Sequence, residues 1–314
     1  MELWKAAWAG ELGKIEKLIS EGADVNYRGF KCSTPLAAAS VHGHKDVVEI
    51  LLKNGADLEA KTEDGQTPLA MAVLYQHQDL ADMFLKNGAL IDEPDENGRT
   101  PLALTAINGS QDMAEMLLKN GASIDAKTFN GWTPLMIALR NGHQGLVEML
   151  LAQGASVNVK SNDNRTPLMF IVSSGLGHIA ERLIEAGVDI HNRDVEGITA
   201  LAFAAENGAE DVVRLLIKNG ADINVRDNQG DTPLSAASFR GKTEVLKLIL
   251  QHQPLSVNTK DDLGNTPLLN AVKEKHEDTT KVLLEYKETN IFLSNDDNET
   301  AINLNKNIYR DFKL

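Results

Sequence analysis

The sequence repeats itself at an almost constant interval. Threonine followed by Pro-Leu, or by a close variant, recurs at Thr34, Thr67, Thr100, Thr133, Thr166, Thr199, Thr232, Thr266 and Thr300. The first seven of these threonines are spaced by 33 residues and the last two intervals are 34. A series of glycines from Gly22 to Gly220 keeps the same interval. A fixed period of this length over most of 314 residues is typical of a solenoid and not of separate globular domains.

Each repeat carries signals for two short helices. Threonine is a favoured N-cap residue and proline is tolerated at the first helical position, so each Thr-Pro pair predicts a helix start. Residues 36–40 show the small side chains of this first helix, and residues 45–55 show apolar residues at helical spacing before a C′ glycine. A polar stretch with a turn then follows. These signals predict an all-α solenoid of stacked helix-turn-helix repeats with short β-hairpin tips.

The pattern closely resembles the ankyrin repeat family, whose repeats have 33 residues and begin with Thr-Pro-Leu-His. The resemblance implies one solenoid domain over 1–314 with about nine repeats. Residues 1–26 are expected to form an N-terminal capping repeat, 27–292 eight full repeats, and 293–314 a closing half repeat. The family's histidine after Thr-Pro-Leu is absent throughout, as at Ala37. Its absence brings the rigidity of the hairpins into question, and altered helix ends at 251–256 and 285–292 predict less regular final repeats.

Residue chemistry argues against several functional classes. The chain has 45 acidic and 31 basic residues, for a net charge of -14, whereas nucleic-acid binding needs basic residues that neutralise phosphates. The recurring histidines at His44, His77, His143 and His276 are interpreted as structural. Cys32 is the only cysteine, and no histidine or carboxylate motif has metal-ligand spacing. We therefore expect no enzyme activity, cofactor or metal.

The same features bear on where the chain works. It has no apolar run long enough to cross a membrane and no signal-peptide pattern. A cytoplasmic, monomeric protein without a membrane or nucleic-acid partner is expected. The alternative location is the cytoplasm of a host cell, if the chain comes from an intracellular bacterium that secretes it.

The resemblance also implies a binding surface, because the hairpin tips and the ends of the first helices line a concave groove in the family. Candidate partner-binding residues at those positions are Trp8, Phe30, His42, Glu63, Asp64, Leu74, Tyr75, Arg99, Ile107, Phe129, Trp132, Arg140, Phe239 and Arg240. Exposed aromatic and arginine side chains are enriched in binding hot spots. Two structural alternatives stay open: Trp132 packs only against the next hairpin, and Trp8 only shields the core of the first repeat.

The expected function is that of a scaffold or adaptor that binds a protein or peptide in the groove. The aromatic residues favour a partner with an apolar anchor that seats between Tyr75 and Trp132, and the carboxylates favour a partner of net positive charge. Two alternatives differ in class. One is a bacterial effector that mimics a eukaryotic ankyrin protein, and the other is a mechanical spacer or regulatory subunit without a groove ligand of its own.

Overall fold

Threonine side chains begin the first helix of almost every repeat. In the computed structural model, which describes residues 1–171, 177–252 and 256–304, Thr34, Thr67, Thr100 and Thr133 each accept a hydrogen bond from the backbone N–H three residues later. Thr199, Thr232 and Thr266 do the same. The helix starts predicted from the Thr-Pro pairs are therefore confirmed at these positions.

The chain forms two compact units, Met1–Ser156 and Val157–Leu314. The helices of the first unit are α1 (Glu2–Ala9), α2 (Leu12–Ser20), α3 (Pro35–His42), α4 (Lys45–Lys53), α5 (Pro68–Leu74), α6 (Gln78–Lys86), α7 (Pro101–Asn108), α8 (Gln111–Lys119), α9 (Pro134–Asn141) and α10 (Gln144–Ala152). A short 3-10 helix spans Phe30–Cys32. Those of the second unit are α11 (Pro167–Phe170), α12 (Gly177–Glu185), α13 (Ala200–Asn207), α14 (Glu210–Lys218), α15 (Pro233–Phe239), α16 (Thr243–Leu250), α17 (Pro267–Lys273), α18 (Glu277–Glu285) and α19 (Ala301–Leu304).

The core of each unit lies between like helices of successive repeats. In the first unit α1, α3, α5, α7 and α9 pack in series, and in the second unit α13, α15 and α17 do so. Small side chains permit this close approach: Ala37, Ala38 and Ala39 are fully buried in α3. The second helices bury one apolar face, as Val47, Val48 and Leu51 do in α4. The predicted all-α repeat solenoid is the architecture observed.

The recurring histidines join neighbouring repeats. The Nε2–H of His77 donates to the carbonyl of Val41 at 2.9 Å, and that of His143 donates to the carbonyl of Ile107 at 3.1 Å. His44 bonds the carbonyl of Trp8 in the first unit, and His276 bonds that of Phe239 in the second. Each imidazole thus satisfies a carbonyl at the end of the first helix of the preceding repeat. This geometry agrees with their interpretation as structural residues.

The predicted hairpins take the form of tight turns. We call each five-residue turn a tip; its first N–H donates to the carbonyl of its fifth residue, as in Asp95–Arg99 at 3.0 Å. The tips of the first unit are 29–33, 62–66, 95–99 and 128–132, and those of the second are 161–165, 194–198, 227–231, 261–265 and 295–299. The described residues contain two isolated β-bridges near these tips and no strand.

Successive tips are also linked to each other. The N–H of Phe129 donates to the carbonyl of Asn97 at 3.0 Å, and that of Asn228 donates to the carbonyl of Glu196 at 2.9 Å. This contact joins the second residue of one tip to the third residue of the tip before it. The tips are therefore tied together although the family's histidine is absent.

Two regions depart from the common pattern. Thr166 Oγ1 is buried and bonds no described residue, because the N–H of Met169 donates instead to the Thr166 carbonyl at 3.0 Å. The less regular final repeats show at Tyr286, an extended residue that ends α18, whereas the second helices before α16 end near a glycine. Residues 253–255 of the altered 251–256 segment, and 305–314 of the predicted closing half repeat, lie outside the described residues.

Candidate protein-binding surface

The tips hold their fifth residue in a fixed backbone position. In every tip except 29–33, which begins with Gly29, the side chain of the first residue accepts a hydrogen bond from the N–H of the fifth. Asp95 Oδ1 accepts from Arg99 at 2.9 Å, and Thr128 Oγ1 accepts from Trp132 at 3.1 Å. The same bond joins Asp227 and Asp231 at 2.9 Å in the second unit. Since the backbone is satisfied within the tip, the fifth side chain is free to differ between repeats without loss of the turn.

Trp132 is the fifth residue of its tip and stacks with a cation from the following helix. The guanidinium carbon of Arg140 lies 4.6 Å from the centroid of the Trp132 ring, which is a cation–π geometry. Trp132 is half-buried, whereas Phe129 in the same tip is 66% exposed. The structure thus brings together three of the predicted residues, with one large apolar side chain largely in water.

A second aromatic cluster lies at the N-terminal end. Trp4 and Trp8 stack at 5.4 Å between ring centroids, and His42 meets Trp8 edge-on at 4.3 Å. The His42 pKa is lowered, first by burial and then by electrostatic repulsion from His44 and His77, both of which disfavour its charged form. Trp8 remains 44% exposed. It therefore combines a packing contact with a surface open to solvent.

The other predicted residues of the first unit fall into three groups. Phe30 and Tyr75 are 69% and 49% exposed, and Glu63 and Asp64 are exposed in the tip next to that of Phe30. Leu74 and Ile107 are half-buried at the last turns of α5 and α7. Arg99 is engaged within its own tip, where its Nε and a terminal nitrogen both lie 2.7 Å from Asp95 Oδ2.

Phe239 and Arg240 border a cavity of about 720 Å³ in the second unit. Its apolar side is formed by Ile198, Phe203, Phe239 and Leu263. Its charged side chains are Arg165, Glu196, Glu206, Asp227, Asp231, Arg240, Asp261 and Asp262. Arg240 bonds Glu206 Oε1 through Nε and a terminal nitrogen at 3.0 and 2.7 Å. The cavity therefore combines aromatic walls with an excess of carboxylates.

Asp231 is the most perturbed carboxyl of this cavity. Its pKa is raised to about 6, first by burial and then by the charges of Asp227, Asp261 and Asp262, against the opposing effect of Arg226. The Oδ1 atom is excluded from water and bonds no described residue. Asp231 occupies one of the groove positions expected from the sequence, but it was not among the candidate partner-binding residues. The sequence does carry a signal for Asp231. It places a carboxylate at the fifth tip position, and the next tip begins with Asp261-Asp262.

A family model described as ankyrin repeats (3 copies) matches residues 3–95, 89–161, 155–227 and 221–295. The chain therefore belongs to the ankyrin repeat family. Ankyrin repeats are generally protein–protein interaction modules, and the proteins built from them are typically non-enzymatic scaffolds. The matches leave the exact number of repeats a prediction. No curated protein matches the chain.

Two further properties concern the described residues alone. None of the helices at 1–171, 177–252 and 256–304 is long and apolar enough to cross a membrane. Over the same ranges, no group of three or more histidine, cysteine or acidic residues could hold a metal ion.

Proposed function

We propose that this chain is a non-enzymatic scaffold or adaptor that binds a partner protein or peptide on the tips and first-helix ends of its first unit. The observation that carries this proposal is the arrangement of Phe129, Trp132 and Arg140, in which Arg140 holds one face of a half-buried tryptophan beside an exposed phenylalanine. A rigid aromatic side chain loses little entropy on binding, so such a group suits a hot spot. Exposed apolar side chains in one region also favour a protein partner.

The partner is proposed to carry an apolar anchor and a net positive charge. Glu63, Asp64 and Glu96 are exposed on successive tips, and the chain as a whole has a net charge of -14. Carboxylates of this kind attract a basic partner over several ångströms and raise the association rate at low salt. The anchor would supply contact area against the aromatic side chains, with the basic residues directed to the tips.

The test is surface plasmon resonance with a partner purified by affinity capture on the whole chain. Trp132→Ala is expected to weaken binding by about 2 kcal/mol, or roughly 30-fold in Kd, if Trp132 is a hot spot. Leu90→Ala is the matched control, because Leu90 is an exposed apolar residue of the same unit that lies outside the tips. Equal affinity of the Trp132→Ala and wild-type proteins would assign Trp132 to hairpin packing and refute this site.

A charge variant separates steering from contact. Glu63→Lys combined with Asp64→Lys should slow association and leave dissociation nearly unchanged, since exposed charges act mainly during encounter. The proposed setting is the cytoplasm, with the chain as a monomer. Light scattering that shows a stable dimer at micromolar concentration would contradict the monomer.

A further inference from the structure

In the second unit, the fifth side chain of one tip meets the first side chain of the next. Arg165 Nε donates to Asp194 Oδ2 at 3.1 Å, and the Asp194 side chain is fully buried. Asn265 Oδ1 accepts a hydrogen bond from Asn295 Nδ2 at 2.9 Å. Both contacts pair a donor with an acceptor, so neighbouring tips satisfy each other at these two steps.

Between the tips 227–231 and 261–265, the corresponding contact brings the carboxylates of Asp231 and Asp261 together. Asp231 occupies the tip position of Arg165, and Asp261 occupies that of Asp194. The Asp231 pKa is raised first by burial and then by the nearby charges of Asp227, Asp261 and Asp262. Asp231 Oδ1 is shielded from water without a hydrogen bond from any described residue. The fifth tip position holds a cation in Arg165 but a carboxylate in Asp231, so Asp261 lacks the partner that Asp194 has.

The neighbouring arginines are engaged elsewhere. Arg226 donates to the carbonyls of Gly230 and Lys260 at 3.1 and 2.9 Å, and it approaches Asp262 Oδ1 only to 3.8 Å. Arg165 is bound to Asp194, and Arg240 to Glu206. The carboxylates of the cavity therefore exceed the cations that can compensate them.

The chain itself shows how a guanidinium is held in such surroundings. Arg165 bonds Asp194 while its guanidinium carbon lies 4.8 Å from the ring centroid of Phe203. Arg240 bonds Glu206 and lies 5.4 Å from the centroid of Phe239. In both cases a planar cation is placed between a carboxylate and an aromatic face, which suits arginine better than lysine.

We propose that the cavity around Asp231, Asp261 and Phe239 binds the guanidinium of an arginine that a polypeptide partner presents next to an apolar residue. The guanidinium donates to Asp231 and Asp261 in the place that Arg165 takes beside Asp194. The neighbouring apolar residue packs against Phe239 and Leu263, which are 43% and 70% exposed. This site lies in the second unit and does not depend on Trp132, so it goes beyond the function proposed above.

The affinity of this site depends on pH. Asp231 loses its charge as the pH falls below about 6, and a neutral carboxyl attracts a guanidinium less strongly. Its own tip contributes Asp227, with Arg226 immediately before it, and the following tip contributes Asp261 and Asp262. The preceding tips and helix contribute Arg165, Glu196 and Glu206, and the end of the following helix α15 contributes Arg240. No histidine is among the described residues that line the cavity. Binding is therefore expected to strengthen as the pH rises from about 5 to 7.5.

The probe is a fluorescein-labelled peptide, Gly-Leu-Arg-Leu-Gly, blocked at both ends and titrated against the whole chain by fluorescence anisotropy. Two control peptides are otherwise identical but carry lysine or uncharged citrulline in place of the arginine. The arginine peptide should bind about tenfold more tightly than the citrulline peptide, with lysine between them. Equal binding of the arginine and citrulline peptides, or no binding of either, would overturn the proposal.

Variants locate the site. Asp231→Asn keeps the shape of the side chain and should weaken the arginine peptide about tenfold near pH 7.5, whereas Asp163→Asn, at an exposed tip acid outside the cavity, should have no effect. Asp231→Arg should abolish binding by filling the cavity from within. Leu90→Ala, at an exposed apolar residue outside the cavity, should leave peptide binding unchanged. An Asp231→Asn protein that binds like the wild type, or an affinity that is equal near pH 5 and pH 7.5, refutes the assignment.

Discussion

The tips Asp95–Arg99 and Asp227–Asp231 have the same backbone and opposite electrostatics. In both, the first aspartate accepts the N–H groups of the third and fifth residues at 2.8–2.9 Å. In the first tip the fifth residue, Arg99, pairs with Asp95. In the second tip it is Asp231, whose pKa is raised first by burial and then by Asp227 and other nearby carboxylates. The turn is therefore specified by its first residue, and the fifth residue decides whether the tip satisfies its own charge.

The difference has a consequence for where ligands bind. A tip that compensates its own charge gains nothing from a charged ligand, because its carboxylate already has a partner. A tip with an uncompensated carboxylate is less stable alone, and a cation that binds there removes that penalty. Local conflicts of this kind are expected at functional sites. Stability measurements on matched variants can test the contrast directly.

The largest effect is expected at the paired tip. Arg99→Ala should lower the free energy of unfolding by about 2 kcal/mol, because it leaves the buried carboxylate of Asp95 without its cation. The measurement is urea denaturation near neutral pH. Lys119→Ala is the control, since Lys119 forms an exposed pair with Glu115 at 2.9 Å and should cost about 0.5 kcal/mol or less. Equal costs for the two variants would show that Asp95 does not depend on Arg99.

The unpaired tip should respond with the opposite sign. The raised pKa of Asp231, about 6, corresponds to roughly 3 kcal/mol if converted directly, and solvent screening of this partly exposed group reduces it to on the order of 1 kcal/mol. Asp231→Asn should therefore raise the free energy of unfolding by about 1 kcal/mol near pH 7.

The pH dependence supplies the check on that variant. Between about pH 6 and the unfolded value of 3.8, folded Asp231 is protonated while the unfolded carboxyl is charged, so this group favours folding more as the pH falls. The advantage of Asp231→Asn should shrink as the pH is lowered from 7 toward 5. A variant that is less stable than the wild type near pH 7, or a pH-independent difference, would contradict the uncompensated charge.

Much of the framework could be predicted from the sequence because each element has a local cause. Threonine caps, Thr-Pro helix starts and the glycine interval depend on residues close in the chain, and they placed the helices correctly at Thr34 and Thr133. Trp132 and Arg140 were both expected at groove positions, but the contact between them was not predicted. Asp231 and Asp261 are 30 residues apart, and their conflict depends on how the tips stack. The exchange of the hydroxyl cap for a backbone bond at Thr166 likewise has no sequence signal, since Thr-Pro-Leu is intact there.

The two threonines extend the comparison from tips to helix caps. Thr133→Ala should lower the free energy of unfolding by about 1 kcal/mol, because Thr133 Oγ1 accepts the N–H of Met136. Thr166→Ala should change it by about 0.5 kcal/mol or less, since its buried hydroxyl has no bonded partner among the described residues. Urea denaturation of both proteins under one condition measures the difference. A loss at Thr166 as large as that at Thr133 would mean that the hydroxyl does cap α11 in solution.

The smallest effect concerns the fifth tip residue and the helix residue that faces it. Trp132 and Arg140 are in contact at 4.6 Å, and the corresponding pair in the second unit is Asp231 and Phe239, which both line the cavity. A double-mutant cycle on Trp132→Ala and Arg140→Ala should give a coupling energy of about 0.5–1 kcal/mol, the value of a cation–π contact near the surface. The same cycle on Asp231→Asn and Phe239→Ala should give a coupling near zero, because neither side chain brings a cation to the other. Coupling of similar size in both cycles would show that packing, and not charge, relates the tip to the helix. That result would refute the contrast between the first unit, where Arg140 supplies a cation to Trp132, and the second unit, where Asp231 has none.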